Sequence, residues 1–256
     1  MSLEDSFAPG SVPFKLGKAP ARRDRRNFRL AALLKALPPI PDTYDIDLVY
    51  PGIPMPMYAN DQCGDCVVAG RAHQTLRFER VEQGITLPIT DQDVVTEYLR
   101  ETGGPDDGLT ALESLKWWRD PGWELSGKGY NIAAFAEIDR TNHDEVRAAI
   151  FLLTGASIGL SLPRTALQQT LNGQVWEVAT GPGSAAGSWG GHFAYLRGYT
   201  AQGPVAVPWG RRQQMTWAFF DQCCDEAYGV VDDLDKWVEG DVLDVQKLTG
   251  YLNDLA

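Results

Sequence analysis

The stretch "NDQCGDCVVAGRAH", Asn60 to His73, sets two cysteines three apart and then runs into a helical pattern; its reading decides the fold. Three chemistries use such a pair. A structural zinc site needs about four Cys or His ligands, whereas this chain offers Cys63 and Cys66 with histidines scattered at 73, 143 and 192. His73 lies two turns along the helix from Cys66, a rise of about 10 Å, so it cannot share a metal or a proton with that sulfur. A redox CxxC wants a preceding strand in a βαβ setting, which the proline-punctuated lead-in "YPGIPMPMYAND" denies. No metal and no cofactor are expected. The third reading is a nucleophile. A cysteine in the first turn of a helix meets unsatisfied N–H groups and the positive end of the dipole, both of which favour thiolate. Such a thiolate needs a base from elsewhere in the fold. His192, in "GSWGGHFAYLRGY", follows a Gly-rich turn at the start of an apolar strand and is the natural choice, whereas His143, in "TNHDEV", opens a polar helix and reads as surface. The residues alone equally allow Cys66 as a small buried hydrophobe and His192 as a satisfied core histidine.

The whole chain frames these readings. Its 256 residues can bury a sizeable core, as one large domain or as two lobes around a cleft. It has no apolar run of membrane-spanning length, so no membrane partner is expected. The start, "MSLEDSFAPGSVPFKLGK", carries acids and prolines where a secretory signal would carry a cationic stretch and an apolar core; a cytoplasmic or virion-associated product without a signal peptide is expected. Four cysteines, Cys63, Cys66, Cys223 and Cys224, are too few and too clustered for a disulfide framework. Net charge is −11, which disfavours a general nucleic-acid binder, yet residues 1–37 hold eight Lys or Arg against three acids. This basic arm is expected to lie on the acidic body or on an acidic protein partner, with a solvated tail as the bland alternative.

Periodicity divides the remainder. "NFRLAALLKAL" places Leu30, Leu33, Leu34 and Leu37 at the spacing of an amphipathic helix, stopped by "PPIPDTYD". From Cys66 a helical pattern runs to a cap at Gly84; Thr90 and Asp93 resemble a capping box, and "LTALESLKWWRD" is a further short helix. After the helix "NHDEVRAAIFLL" the pattern becomes strand-like in "GASIGLSL", "GHFAYLRGYT", "PVAVPWG" and "AYGVVDD". Helices first and strands later make an α+β protein, with a twisted antiparallel sheet or partial barrel in the second half.

The order of these pieces resembles the papain-like (C1 family) cysteine peptidases. "IPDTYDIDLVYPGIPMPMYANDQCGDCVVAGRA" is similar to the family's mature start, which ends in Q-x-x-x-C-G-x-C and a helix. "LPITDQDVVTEYL", "GPDDGLTALESLKW", "GGHFAYLRGY" and "VAVPWG" follow in family order, so the likeness covers about residues 38–232. It implies a two-lobed papain-like fold: a helical lobe over about 60–125, a β-barrel-like lobe over about 130–235, and a cleft between them. A basic arm over 1–37 would precede the papain-like domain at 38–256, and a C-terminal helix would occupy about 240–255. It further implies Cys66 as nucleophile, His192 as base, and Asn60 with the Cys66 N–H as oxyanion donors. Gly108 and Asp107 would bind substrate, Trp209 would shield the histidine, and a peptide or protein substrate would lie in the cleft.

The departures bear on activity. The position of the family's histidine-orienting asparagine holds Val207, which has no hydrogen-bonding side chain. Asp65 precedes Cys66, where a carboxylate would disfavour thiolate. Cys63 matches half of a family disulfide whose other position is Pro105. "MTWAFFDQCCDEAYGVV" is similar to the tail of short bacterial and phage-type members, and Cys223 and Cys224 in it read as packed thiols. Two functions are therefore expected to compete: a cysteine peptidase or amidase using a Cys66–His192 dyad, and a catalytically impaired papain-fold protein with a binding or structural role, such as a virion component.

Overall fold

A computed structural model of the chain describes residues 13–34, 39–125, 127–232, 243–244, 246–248 and 250. The first half carries a short α1 (Leu30–Leu33), β1 (Tyr44–Asp45) and α2 (Ile46–Val49), then the long α3 (Cys66–Gln83), α4 (Asp91–Thr102) and α5 (Ala111–Arg119). A hairpin of β2 (Trp123–Leu125) and β3 (Lys128–Tyr130) leads to β4 (Ala134–Glu137) and α6 (His143–Leu152). The second half continues with β5 (Ala156–Leu162), α7 (Arg164–Leu171), β6 (Gly190–Thr200), β7 (Gly203–Val207), β8 (Gln213–Gln214), α8 (Trp217–Cys223) and β9 (Cys224–Val231). The main strands pair antiparallel in the order β4-β9-β5-β6-β7-β8, with β1 added to β6. The protein is thus α+β, and the barrel-like lobe expected from the sequence is an open sheet.

Local signals explain most boundaries. Thr90 accepts from the Asp93 N–H while Asp93 accepts from the Thr90 N–H, a full capping box that starts α4. Gly84 and Gly103 close α3 and α4 in left-handed conformation, which glycine adopts without steric cost. The amphipathic helix expected through Leu37 stops at Leu33 instead, because Leu34 turns extended and bridges to Leu243. Leu37, and most of the C-terminal helix expected over 240–255, lie outside the described residues. The strand-rich half also contains α7 and α8, which the sequence reading did not anticipate. His143, expected at the surface, is half-buried: its ring stacks on Trp217 at 4.1 Å and pairs with Asp221 at 2.7 Å. No helix among the described residues is long and apolar enough to cross a membrane.

One apolar cluster fills the space among the sheet, α6 and α8; a second surrounds α3 and reaches α4, α5 and the β2–β3 hairpin. α3 is buried from Cys66 to Glu79 even though it carries Arg71, His73, Gln74 and Arg77. Each arginine is matched by distant acids: Arg77 makes a bidentate pair with Asp47 at 2.6 and 3.0 Å, and Arg197 on β6 reaches Asp45 and Asp47. Arg71 sits between Glu97 at 3.1 Å and Glu101 at 2.6 Å, all three side chains at most 5% exposed. Breaking a buried pair leaves an uncompensated charge. Arg71→Met is therefore expected to destabilise the protein by about 3–5 kcal/mol near neutral pH. Burial already raises the Glu101 pKa, so that loss shrinks toward acid as the stranded carboxylate protonates; urea unfolding at pH 7 and pH 4.5 measures both.

Candidate active site

Asn60 follows two consecutive residues with left-handed backbone, Tyr58 (φ 59°) and Ala59 (φ 60°). Non-glycine residues seldom adopt this conformation, and where they do the strain clusters at functional sites. The turn buries Asn60, whose amide donates to the Cys63 carbonyl at 3.2 Å. Cys66 then opens α3, only 1% exposed, its sulfur approached by the backbone N–H groups of Phe193 and Gly17. Burial pushes its pKa up to about 12, more than these donors can offset.

Asp65 sits at the N-cap without capping the helix, fully buried, with no hydrogen-bond partner for either carboxylate oxygen. Burial pushes its pKa up to about 8, and the nearby Asn60 amide, engaged with Cys63, offsets this only in part. At neutral pH Asp65 is therefore largely protonated, and the repulsion of a thiolate expected from its position in the sequence is mostly absent.

His192 occupies the third position of β6, buried, with neither ring nitrogen hydrogen-bonded. Its ring stacks on Trp209 at 4.0 Å and 19°, and Trp209 too has left-handed backbone, φ 46°. Burial pulls the His192 pKa down to about 3. Val207 ends β7, buried and paired across the sheet with Tyr195. With no hydrogen bond to either ring nitrogen, it is the stack on Trp209 that orients this imidazole among the described residues. Cys66 and His192 share the site, but no hydrogen bond joins them, and their shifted pKa values make both neutral.

A segment of the arm lies beside both residues. Residues 14–19 of the arm run between the lobes, held by body backbone on both sides. The Lys15 N–H donates to the Asn60 carbonyl at 2.9 Å and the Trp209 indole donates to the Lys15 carbonyl at 2.9 Å. The Lys18 N–H donates to Gly191 at 3.2 Å, while Leu109 donates to Gly17 at 2.8 Å and accepts from Ala19 at 2.8 Å. Gly17 passes so close to the Cys66 loop that an added Cβ would lie 1.7 Å from the Gly64 carbonyl. Gly108 (φ 77°) closes the other side, where a Cβ would lie 2.2 Å from the Gly17 carbonyl. Among the described residues no arm carbonyl is held by the Asn60 amide, which donates to Cys63, so the arm lies beside the nucleophile without presenting it an activated acyl carbon.

Of the residues expected at the site, the structure brings Asn60, Cys66, Gly108, His192 and Trp209 to one segment of chain, residues 14–19. Asp107 is exposed, and it is Asp106 that braces the site: it accepts from the Gly64 N–H at 2.9 Å and from the Tyr98 hydroxyl at 2.6 Å, and Tyr98 accepts from Gly108. Nothing in "GPDDG" separates Asp106 from Asp107. Gly17 and Lys18 were missed as site residues; a glycine between two lysines in a polar arm carries no local signal.

No family model and no curated protein match the chain by sequence. Solved structures do match. Xylellain, a cysteine protease from Xylella fastidiosa, aligns with TM-score 0.64 and 14% identity, covering 86% of this chain and 97% of that one. The Carica candamarcensis cysteine protease CMS1MS2 in complex with E-64 aligns at TM-score 0.58 and 15% identity over 76% of this chain and 100% of that one. Procathepsin B S9 from Trypanosoma congolense aligns at 0.56 and 10% identity, over 86% and 87%. The cleft that holds Asn60, Cys66, His192 and Trp209 therefore belongs to a papain-like cysteine protease fold.

Proposed function

We propose that the protein is a papain-like cysteine peptidase or amidase held latent by its own N-terminal arm. The observation that carries this reading is convergence: one six-residue stretch, Phe14–Ala19, touches Asn60, Trp209 and Gly191 by hydrogen bonds and covers Cys66 with Gly17. A peptide backbone already fits where a substrate would lie. With the arm withdrawn, water reaches the cleft and the burial that holds the thiol protonated is relieved. The His192 imidazole then takes the Cys66 proton, and the sulfur attacks the acyl carbon. The amide of Asn60, once turned from Cys63, and the Cys66 N–H hold the oxyanion. His192 passes its proton to the leaving amine, and water hydrolyses the thioester, regenerating the thiol. The matched structures described as cysteine proteases support the same reading.

A purely structural role, with the arm reaching a separate partner, has less support: Phe14, Lys18, Leu30 and Leu33 of the arm are spent on this chain's own body, while Arg22, Arg23 and Arg25 are exposed. Phe14 packs against Trp209 with ring centroids 4.7 Å apart, Leu30 and Leu33 enter the core, and Lys18 is buried. The test is a peptidyl electrophile applied to the full-length Gly17→Val protein, in which the arm cannot close on Gly64. Cys66 is expected to be modified at least tenfold faster than Cys63, and His192→Ala is expected to lower peptide hydrolysis about a hundredfold, the usual contribution of a general acid–base group. Equal, slow labelling of both cysteines would remove the peptidase reading.

A further inference from the structure

Lys18 is an unusual residue to bury. Its side chain is 1% exposed, and its ammonium lies 3.1 Å from Asp225 Oδ1 and 3.1 Å from Glu226 Oε1; it also donates to the Ala19 carbonyl at 3.1 Å. Apart from the Ala19 carbonyl, the groups that receive it belong to the body. Gly159 on β5 makes the room, since a Cβ there would lie 2.1 Å from Lys18 Cε. The Ser161 hydroxyl donates to Asp225 at 2.7 Å and the Tyr228 hydroxyl to Glu226 at 3.0 Å, so both carboxylates are braced independently of the lysine. Two acids face one ammonium, and Glu226 is only 4% exposed at its side chain. A buried carboxylate stripped of its cation is costly, so the emptied pocket favours another cation over an apolar group.

The pocket also has a fixed place relative to the chemistry. The residue whose side chain enters it is held at its backbone by Gly191, next to His192, and its neighbour Gly17 lies over Cys66. We propose that this pocket is the specificity determinant of the cleft: it takes a Lys or Arg side chain of a substrate peptide within one or two residues of the scissile bond, and Lys18 fills it in the latent form. This rests on the peptidase reading above. Asp225 and Glu226 also line an adjoining open cavity of about 870 Å³, which Arg22, Arg23 and Arg29 of the arm line as well.

Binding and turnover separate the two ideas. In full-length Gly17→Val, an acetylated peptide of residues 13–20 is expected to bind at least thirtyfold more tightly than the same peptide with norleucine in place of lysine at position 18. Glu226→Gln with Asp225→Asn is expected to close that gap. Among fluorogenic peptides, those with Lys or Arg at one position are expected to be cleaved at least tenfold faster than those with Leu or Phe. A binding preference without any cleavage upholds the pocket and sinks the peptidase reading; cleavage with Leu or Phe preferred, or equal binding of the two peptides, overturns the pocket. Should Gly17→Val not fold, full-length Lys18→Ala serves: n-butylammonium is expected to raise its melting temperature by several degrees while leaving the wild type unmoved. Equal shifts in both proteins overturn the proposal.

Discussion

Gly17→Val is expected to raise the rate at which iodoacetamide alkylates Cys66 at pH 7.5 by about a thousandfold, the gain in thiolate expected as the pKa falls toward that of a free cysteine. The argument begins with space. Gly17 lies against the Gly64 backbone with no room for a Cβ, and backbone cannot rotate aside as a flexible side chain would. A valine there forces the arm off the Cys66 loop while leaving the body untouched. The thiol, pushed up to about 12 by burial, is then expected to meet water at the start of α3, where the helix N-terminus favours thiolate. Thiolate is the alkylated species, so the rate follows its fraction, and the lost steric cover adds to that gain. Cys63, half-exposed in the closed form, is the internal reference. Removal of residues 1–19 is expected to give the same result, since Leu30 and Leu33 keep the rest of the arm anchored in the core. Mass-spectrometric labelling resolves the two cysteines, and an unchanged Cys66 rate would mean that the arm is not what protects it.

How far the sequence could reveal this arrangement depended on whether the physics was local. The start of α3 at Cys66, the capping box at Thr90 and the strands β5, β6, β7 and β9 are written in short-range patterns, and they were read correctly. The order of the cysteine, glycine, histidine and tryptophan motifs was enough to expect Cys66, Gly108, His192 and Trp209 in one cleft. The α3 charges were illegible because their partners lie far along the chain: Asp47 for Arg77, and Glu97 and Glu101 for Arg71. The arm was legible as basic and as a candidate to lie on the acidic body, but not as the occupant of the cleft. Gly17 meets Gly64, Gly108 and Leu109, and Lys18 meets Asp225 and Glu226, contacts that no window of neighbouring residues encodes. Asp65 reads from its letter as a charge that disfavours the Cys66 thiolate, and its ionised form does raise the Cys66 pKa; burial, which the letter does not show, sets the pH at which that form appears.

That burial makes Asp65→Asn the second large expected effect. The folded protein holds the Asp65 pKa at about 8 against a usual 3.8. The folded state therefore keeps its proton where the unfolded chain releases it, and stability falls as pH rises from about 4 to about 8. A shift of this size corresponds to an upper bound of roughly 6 kcal/mol across the window, at 1.36 kcal/mol per pKa unit. Asn keeps the shape and removes the ionisation, although its amide is left as short of partners as the protonated carboxyl. The variant is expected to match the wild type within about 1 kcal/mol at pH 4.5 and to exceed it by several kcal/mol at pH 8.5. Urea unfolding at both pH values measures the difference; a gap that does not grow with pH would mean that Asp65 is already ionised in the folded protein. The same substitution reaches the chemistry. An ionised Asp65 raises the Cys66 pKa through its charge, so in a Gly17→Val background Asp65→Asn is expected to leave Cys66 alkylation little changed below pH 7 and to increase it above pH 8. Stability and thiol reactivity would then report one proton, on a carboxyl that the fold keeps neutral beside its nucleophile.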